Sequence, residues 1–113
     1  PGFKLTKTLL KNAMFAIIYG DMIMNLKNHI LPYALDKDEV AATVDRVCTA
    51  LERQFEAGHG CTRKDLRKNC PWILKEFAQI KTVSGQKKTK VGIVGEIYVK
   101  FAPLGNNNLE AFL

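Results

Sequence analysis

The sequence lacks the long apolar segments that mark membrane and secreted proteins. Its longest unbroken apolar run, residues 13–19, covers only seven residues, whereas a membrane-spanning helix needs about 20. No apolar signal region precedes the cysteines, and three cysteines cannot all pair within one chain. We therefore expect a cytoplasmic protein with reduced thiols and no membrane as a partner.

Residues that support common catalytic and metal sites are also scarce. Serine occurs at Ser84 alone, so a serine-based hydrolase triad is not expected. His59, Cys61 and Cys70 lack the paired Cys-x-x-Cys spacing that aims two ligands at one zinc ion. The glycines at 92 and 95 do not have the spacing of a dinucleotide-binding loop. The sequence therefore predicts no cofactor or metal in this chain.

Positive charge is in excess, with 17 Lys and Arg against 11 Asp and Glu, a net charge of +6. Lys87, Lys88 and Lys90 form the one dense cluster, beside Gly85, and we interpret this stretch as a solvated linker. The aromatic residues do not alternate with the basic ones as a base-stacking surface requires. We therefore do not expect nucleic acid as a partner.

The first helix is predicted over residues 8–31, where proline is absent until Pro32. Apolar residues cover most of its circumference, which predicts burial on several sides. Asp21 lies within this apolar stretch. Because a buried carboxylate needs a partner or a proton, we expect Asp21 to be a structural polar residue bonded to a neighbouring helix or loop.

Two capping signals predict the next helices. Asp36 and Thr62 each precede an acidic residue by three positions, as N-terminal capping boxes do. The helix after Asp36 has apolar residues at steps of three and four, with Cys48 on this stripe, and is closed by Gly58. Since proline breaks helices, Pro71 predicts two short helices, at 62–69 and 71–81, in place of one.

The last segment predicts a buried β-strand. Residues 91–95 form a short β-branched run that is apolar on both faces, and a strand of this kind needs parallel neighbours that no other segment supplies. The predicted fold is mainly helical, with three to four helices and one C-terminal strand, as a piece of a larger α/β protein. Its parts are a helical connector at 1–81, a linker at 82–90, and a strand, loop and helix start at 91–113.

Polar residues after this strand are the candidate ligand contacts. Glu96 would lie at the carboxyl end of the strand, the edge where open α/β sheets bind ligands. Tyr98, Asn106 and Asn107 follow it, and an asparagine here could cap the next helix and aim its amides at an anion. The alternatives are structural: Glu96 bonding loop amides, Tyr98 as a packed ring, and the asparagines as cap and exposed residues.

The string Lys-Val-Gly-Ile-Val-Gly-Glu-Ile-Tyr-Val-Lys at 90–100, with Pro103 and the asparagines at 106–108, resembles the 2-hydroxyacyl-CoA dehydratase and benzoyl-CoA reductase subunit family. Most similar are the dehydratase-like regions of large proteins that also carry a CoA-substrate-specific activase. Upstream, residues 19–22 and 32–33 resemble the family's Gly-Asp and Arg-Pro-Tyr-Glu region. Leu31 and Ala34 stand where the family has Arg and Glu.

The resemblance implies a parent with single-electron chemistry on an acyl-CoA, a cysteine-bound [4Fe-4S] cluster and an ATP-hydrolysing activase. It also implies Rossmann-like lobes joined by helices. The chain would then be a connector without catalysis of its own, partnered by the rest of the parent, with a possible homodimer through the edge of the orphan strand. The competing interpretation is a stand-alone helical interaction or nucleic-acid-binding module.

Overall fold

Three long helices form the body of the protein in a computed structural model, which describes residues 4–85 and 87–113. A trio of short helices follows at the carboxyl end of the chain. The prediction of a mainly helical fold is confirmed. The helices are α1 (Lys7–Ile30), α2 (Lys37–Glu56), α3 (Arg63–Ala78), α4 (Ile97–Phe101), α5 (Pro103–Asn106) and α6 (Leu109–Phe112).

Side-chain caps begin all three long helices. The Thr6 hydroxyl accepts a hydrogen bond from the Leu9 amide at 3.1 Å, and the Asp36 carboxylate accepts one from the Asp38 amide at 2.8 Å. The Thr62 hydroxyl accepts from the Asp65 amide at 3.1 Å and donates to the Asp65 carboxylate at 2.6 Å. These bonds satisfy amides that have no partner within the helix, so the caps predicted at Asp36 and Thr62 are confirmed.

The predicted break at Pro71 is wrong, because α3 continues through the proline. Pro71 is exposed, and so is Arg67, whose carbonyl loses the amide donor that proline lacks. Solvent can therefore satisfy that carbonyl. Asn69, Ile73 and Phe77 are buried on one face at a spacing of four residues, so packing on both sides of the proline keeps the two halves in one helix.

The core lies where α1, α2 and α3 meet. Ile73, Val47, Val40 and Phe77 are almost fully buried, and burial of each such side chain contributes about 1.5 to 3 kcal/mol. Partly buried residues, Cys48 among them, pack around this centre, in agreement with the predicted position of Cys48 on the apolar stripe of α2. The complete core cluster is Tyr19, Ile23, Val40, Val47, Leu51, Ile73, Phe77 and Ile80.

The prediction that α1 is buried on several sides is wrong. Tyr19 and Ile23 are its only buried residues, because two neighbouring helices can cover only one face of a third. Asp21 is exposed, so its carboxylate does not require the buried partner that we expected. Large apolar residues on the outer side of α1 remain exposed, namely Leu10, Met14, Ile17, Ile18 and Met24.

The strand predicted at 91–95 is absent, and this part of the prediction is also wrong. Residues 91–96 are irregular, and α4 begins directly after Glu96. The described residues contain only one isolated antiparallel bridge, between Ala34 and Thr82. A strand forms through hydrogen bonds to a neighbour, and the three-helix body supplies no neighbour for 91–95. The proposed homodimer through a strand edge therefore has no strand on which to form.

None of the helices in the described ranges is long and apolar enough to cross a membrane.

We predict that Thr62→Ala lowers the free energy of unfolding by about 1 kcal/mol near neutral pH. The hydrogen bond from the Thr62 hydroxyl lowers the pKa of Asp65 from its ordinary value. Because folding lowers the pKa of the Asp65 carboxyl, this group stabilises the fold at pH values above its unfolded pKa of about 3.9. The stabilisation is lost as the pH falls through the folded-state pKa. The difference between wild type and variant should therefore shrink below about pH 4, as measured by urea unfolding at several pH values.

Thr49→Ala is the matched control, because Thr49 is exposed in the middle of α2. Alanine is the better helix former there, so this variant should be as stable as the wild type or slightly more stable. An effect of Thr62→Ala that is equally large at neutral and at strongly acidic pH would contradict the proposed coupling to Asp65.

Candidate functional site

A buried hydrogen-bond network joins the three long helices. The Tyr19 hydroxyl of α1 donates to the Gly60 carbonyl in the α2–α3 loop at 2.9 Å. It accepts from Asn69 Nδ2 of α3 at 3.0 Å. Asn69 Nδ2 also donates to Gln54 Oε1 of α2 at 2.8 Å, and Gln54 Nε2 donates back to Asn69 Oδ1 at 3.3 Å. One tyrosine hydroxyl thus connects α1 to both other helices.

The chemistry of this network is structural. Burial raises the pKa of Tyr19, although the hydrogen bond from Asn69 acts in the opposite direction. The phenol is therefore neutral at ordinary pH and serves as a donor. The ring centroid lies 6.0 Å from that of Phe55 with the two planes tilted by 52°, within the distance range of favourable aromatic pairs. No buried side-chain nitrogen or oxygen in the described residues lacks a hydrogen-bond partner, so the network has no free group for a ligand.

Sequence reasoning missed this network. Tyr19 lies at the end of the longest apolar run and was counted with the apolar residues. Asn69 carried the available signal, since it shares the four-residue spacing of Ile73 and Phe77 on α3. A polar residue at such a core-facing position must find a hydrogen-bond partner, but the sequence does not identify which one.

Among the predicted ligand contacts, Glu96 and Tyr98 are exposed. Glu96 occupies the N-cap position of α4 without a side-chain cap bond, and its backbone carbonyl accepts from the Lys100 amide at 2.9 Å. Tyr98 is 61% exposed. Its ring lies against Gly105, where an added Cβ would be 2.9 Å from the ring. The ring is thus in contact with Gly105 but remains mostly exposed.

The asparagines serve the turns between the short helices. Asn106 Nδ2 donates to the Lys100 carbonyl at 3.2 Å, and its Oδ1 accepts from the Leu109 amide at 3.4 Å. Asn107 and Asn108 have φ of 53° and 55°, a left-handed conformation that asparagine tolerates better than most residues. The structure thus brings Asn106 to α4 and α6, whereas no hydrogen bond among the described residues joins the side chains of Glu96 and Asn107.

Two of the three cysteines are poorly placed for nucleophilic chemistry. Cys48, Cys61 and Cys70 are free thiols. Burial raises the pKa of Cys61 and that of Cys48, and acidic neighbours add to the second shift. Both thiols are therefore protonated near neutral pH, and the thiolate is the reactive form. In the described ranges, no three His, Cys, Asp or Glu side chains are placed to hold a metal ion.

The part of the chain that the structure describes also forms two open grooves. An open groove of about 530 Å³ is lined by Tyr33, Lys87, Lys88, Thr89 and Lys90, and the Lys88 amide donates to the Tyr33 hydroxyl at 3.0 Å across it. A smaller apolar groove of about 220 Å³ lies between α1 and α2. Its lining residues are Ala16, Tyr19, Gly20, Ile23, Cys48, Leu51, Glu52 and Phe55.

Comparison of the chain with protein-family models finds no match, and neither curated proteins nor solved structures include one that matches it. The fold and the site geometry are therefore the observations on which a function can be built.

We predict that Tyr19→Phe lowers the free energy of unfolding by about 1 to 3 kcal/mol, because the Gly60 carbonyl loses its donor and Asn69 loses an acceptor in a buried site. Tyr98→Phe is the control, since Tyr98 is exposed, and its effect should lie within about 0.5 kcal/mol of zero. Urea unfolding monitored by circular dichroism measures both values. Equal effects of the two substitutions would contradict the structural role of the Tyr19 hydroxyl.

Proposed function

We propose that the chain is a structural connector in a larger 2-hydroxyacyl-CoA dehydratase-like or activase-linked protein, without catalysis of its own. The observation that carries this proposal is the exposure of apolar side chains after the third helix. Leu104 is 92% exposed, Val94 90%, Phe112 85% and Ile97 77%. They lie in one segment, residues 91–113, and have almost no cover from the three-helix body.

Exposure on this scale supports a covering partner. Burial of a large aliphatic or aromatic side chain is worth about 1.5 to 3 kcal/mol, and clustered apolar exposure marks interaction surfaces. Within the segment, α4 packs mainly on α5. The body of three helices is already closed around its own core. The segment therefore fits the surface of another part of a larger protein.

The same segment carries the residues that resemble the dehydratase family, which is the second support for the proposal. In the parent, neighbouring strands would supply the hydrogen bonds that residues 91–95 lack here, and a Rossmann-like lobe would form around them. Glu96, Tyr98, Asn106 and Asn107 would then lie at a ligand-binding edge. The [4Fe-4S] cluster and ATP belong to the parent or its partners, since Cys48 and Cys61 are packed within this body.

The parent reading frame on both sides of these residues is the first test. Cysteine-rich segments or an ATPase domain beside them would support the proposal. A start codon immediately upstream together with a stop codon immediately after Leu113 would overturn it.

We predict that Leu104→Ser destabilises the longer protein but leaves the stability of the short chain almost unchanged. In the chain of 113 residues the free energy of unfolding should change by less than about 0.5 kcal/mol, because the side chain is exposed. In the longer protein the same change should cost about 2 kcal/mol or more, because Leu104 is buried there. Thermal or urea unfolding of both proteins measures this difference.

Ile73→Ala is the positive control in both proteins, because Ile73 is fully buried in the three-helix body. It should cost about 2 to 5 kcal/mol in each. An equally small effect of Leu104→Ser in the short and long proteins would contradict the proposed covering of residues 91–113.

A second candidate function is a stand-alone module that binds nucleic acid, and the basic groove favours it. The groove is lined by one aromatic residue, Tyr33, and by three basic ones, Lys87, Lys88 and Lys90. The net charge of +6 has the right sign for a polyanion. Binding through these lysines would release counterions from the phosphate backbone and would depend strongly on salt.

For this second candidate, we predict that Lys87→Glu/Lys88→Glu/Lys90→Glu weakens binding to generic duplex DNA and reduces the slope of log K against log salt by about 3. The control Lys64→Glu/Arg67→Glu/Lys68→Glu makes the same charge change on exposed positions of α3. Fluorescence anisotropy from low to physiological salt measures both. No binding of the wild type at low salt, or equal losses in the two variants, would remove this candidate.

A further inference from the structure

The outer side of α1 carries a regular apolar strip, which we call the α1 seam: Leu10, Ala13, Ile17, Gly20 and Met24. The spacing is three, four, three and four residues, the heptad spacing of helices that pack along their length. Ile17 is 64% exposed, Leu10 48% and Met24 41%. Nothing lies within 4 Å of the position that a Cβ on Gly20 would occupy, so another helix can approach closely there.

We propose that the α1 seam binds the α1 seam of a second copy of this chain, with the two helices antiparallel. Large and small residues alternate along the strip, and an antiparallel pair can set Leu10 and Ile17 each against a small residue, while Met24 faces position 6, just before the helix. With a two-fold axis near residue 15, Leu10 packs on Gly20 of the second copy and Ile17 packs on Ala13 of the second copy. A parallel pair would set large against large and leave gaps between Ala13 or Gly20 and its equivalent, which costs packing energy.

Charge complementarity selects the same arrangement. In this register Asp21 faces position 9 of the second copy, so it lies between Lys7 and Lys11 of that helix. Each lysine is two residues away, about 3 Å along the axis. All three side chains are exposed, and Asp21 and Lys7 share one edge of the seam, whereas Lys11 lies farther around the helix. The two-fold axis repeats this cluster, which gives two sets of opposite charges across the pair.

The available area indicates a weak dimer. With the two-fold axis near residue 15, the two helices overlap over residues 7–23, about 26 Å long and about 11 Å wide, or close to 280 Å² of contact face. A standard interface takes about 800 Å² from each partner. The apolar groove between α1 and α2 borders the seam at Gly20 and Ala16 and extends the surface, but two chains of net charge +6 also repel each other. We expect a dissociation constant on the order of 100 µM at physiological salt.

Sedimentation equilibrium of the full chain from about 1 µM to about 1 mM tests the dimer. Wild type should change from monomer to dimer across this range. Ile17→Glu should weaken association at least tenfold, with unchanged helical circular dichroism because Ile17 is exposed. Leu74→Glu is the matched control, since Leu74 is a 50% exposed apolar residue on α3, and it should dimerise as the wild type does.

Charge reversal tests the orientation. Asp21→Lys places three positive charges together in the antiparallel pair and should weaken association severalfold. Lys7→Glu/Lys11→Glu/Asp21→Lys restores opposite charges and should recover wild-type association. A wild type that is monomeric to about 1 mM, or an Ile17→Glu variant that behaves like Leu74→Glu, would overturn the proposal. Failure of the triple variant to recover would overturn the antiparallel arrangement. None of these outcomes depends on the reading-frame test of the connector function.

Discussion

The hydroxyl of Tyr19 is the contact on which the arrangement of the three helices depends. Its two hydrogen bonds reach the α2–α3 loop at Gly60 and the α3 side chain of Asn69, and Asn69 passes the connection to Gln54 on α2. The ion pair between Arg46 and Glu76 also joins α2 and α3, at 3.1 Å, but the arginine side chain is 55% exposed. A pair of this kind contributes about 0 to 1 kcal/mol. The buried network is therefore the stronger constraint, because leaving its groups unpaired costs more than losing a solvated ion pair.

Anchoring Tyr19 also determines what α1 presents to solvent. The rotation of a helix about its own axis is fixed once one face is held, and here the face of Tyr19 and Ile23 is held against the core. The opposite face, with Leu10 and Ile17, must then point outward. A helix that is apolar around most of its circumference is usually enclosed by neighbours. The exposed seam is therefore a direct consequence of the buried network and of the small number of helices available to cover α1.

Sequence patterns predicted local features well and long-range ones poorly. The caps at Asp36 and Thr62 depend on groups within three residues, so they could be recognised directly. The helix break predicted at Pro71 is wrong because tertiary packing decides the outcome. The burial of Ile73 and Phe77 outweighs the loss of one amide donor on an exposed turn. The strand at 91–95 failed for the same kind of reason, since β-propensity describes the fit of a residue to a sheet that must already exist. The contact between Tyr19 and Asn69 spans 50 positions, and no local pattern reports it.

The two exposed apolar surfaces differ in a way that predicts different partners. The α1 seam lies on one rigid helix, repeats at heptad spacing and alternates large with small residues, so it is complementary to itself when reversed. Residues 91–113 have none of this regularity: Val94, Leu104 and Phe112 lie on irregular backbone or on helices of four residues. A short helix is marginal without tertiary packing, so under the proposed connector function the covering surface would also determine the conformation of this segment. Self-association through α1 and docking of 91–113 onto a larger protein are therefore compatible, because each uses a surface that the other leaves free.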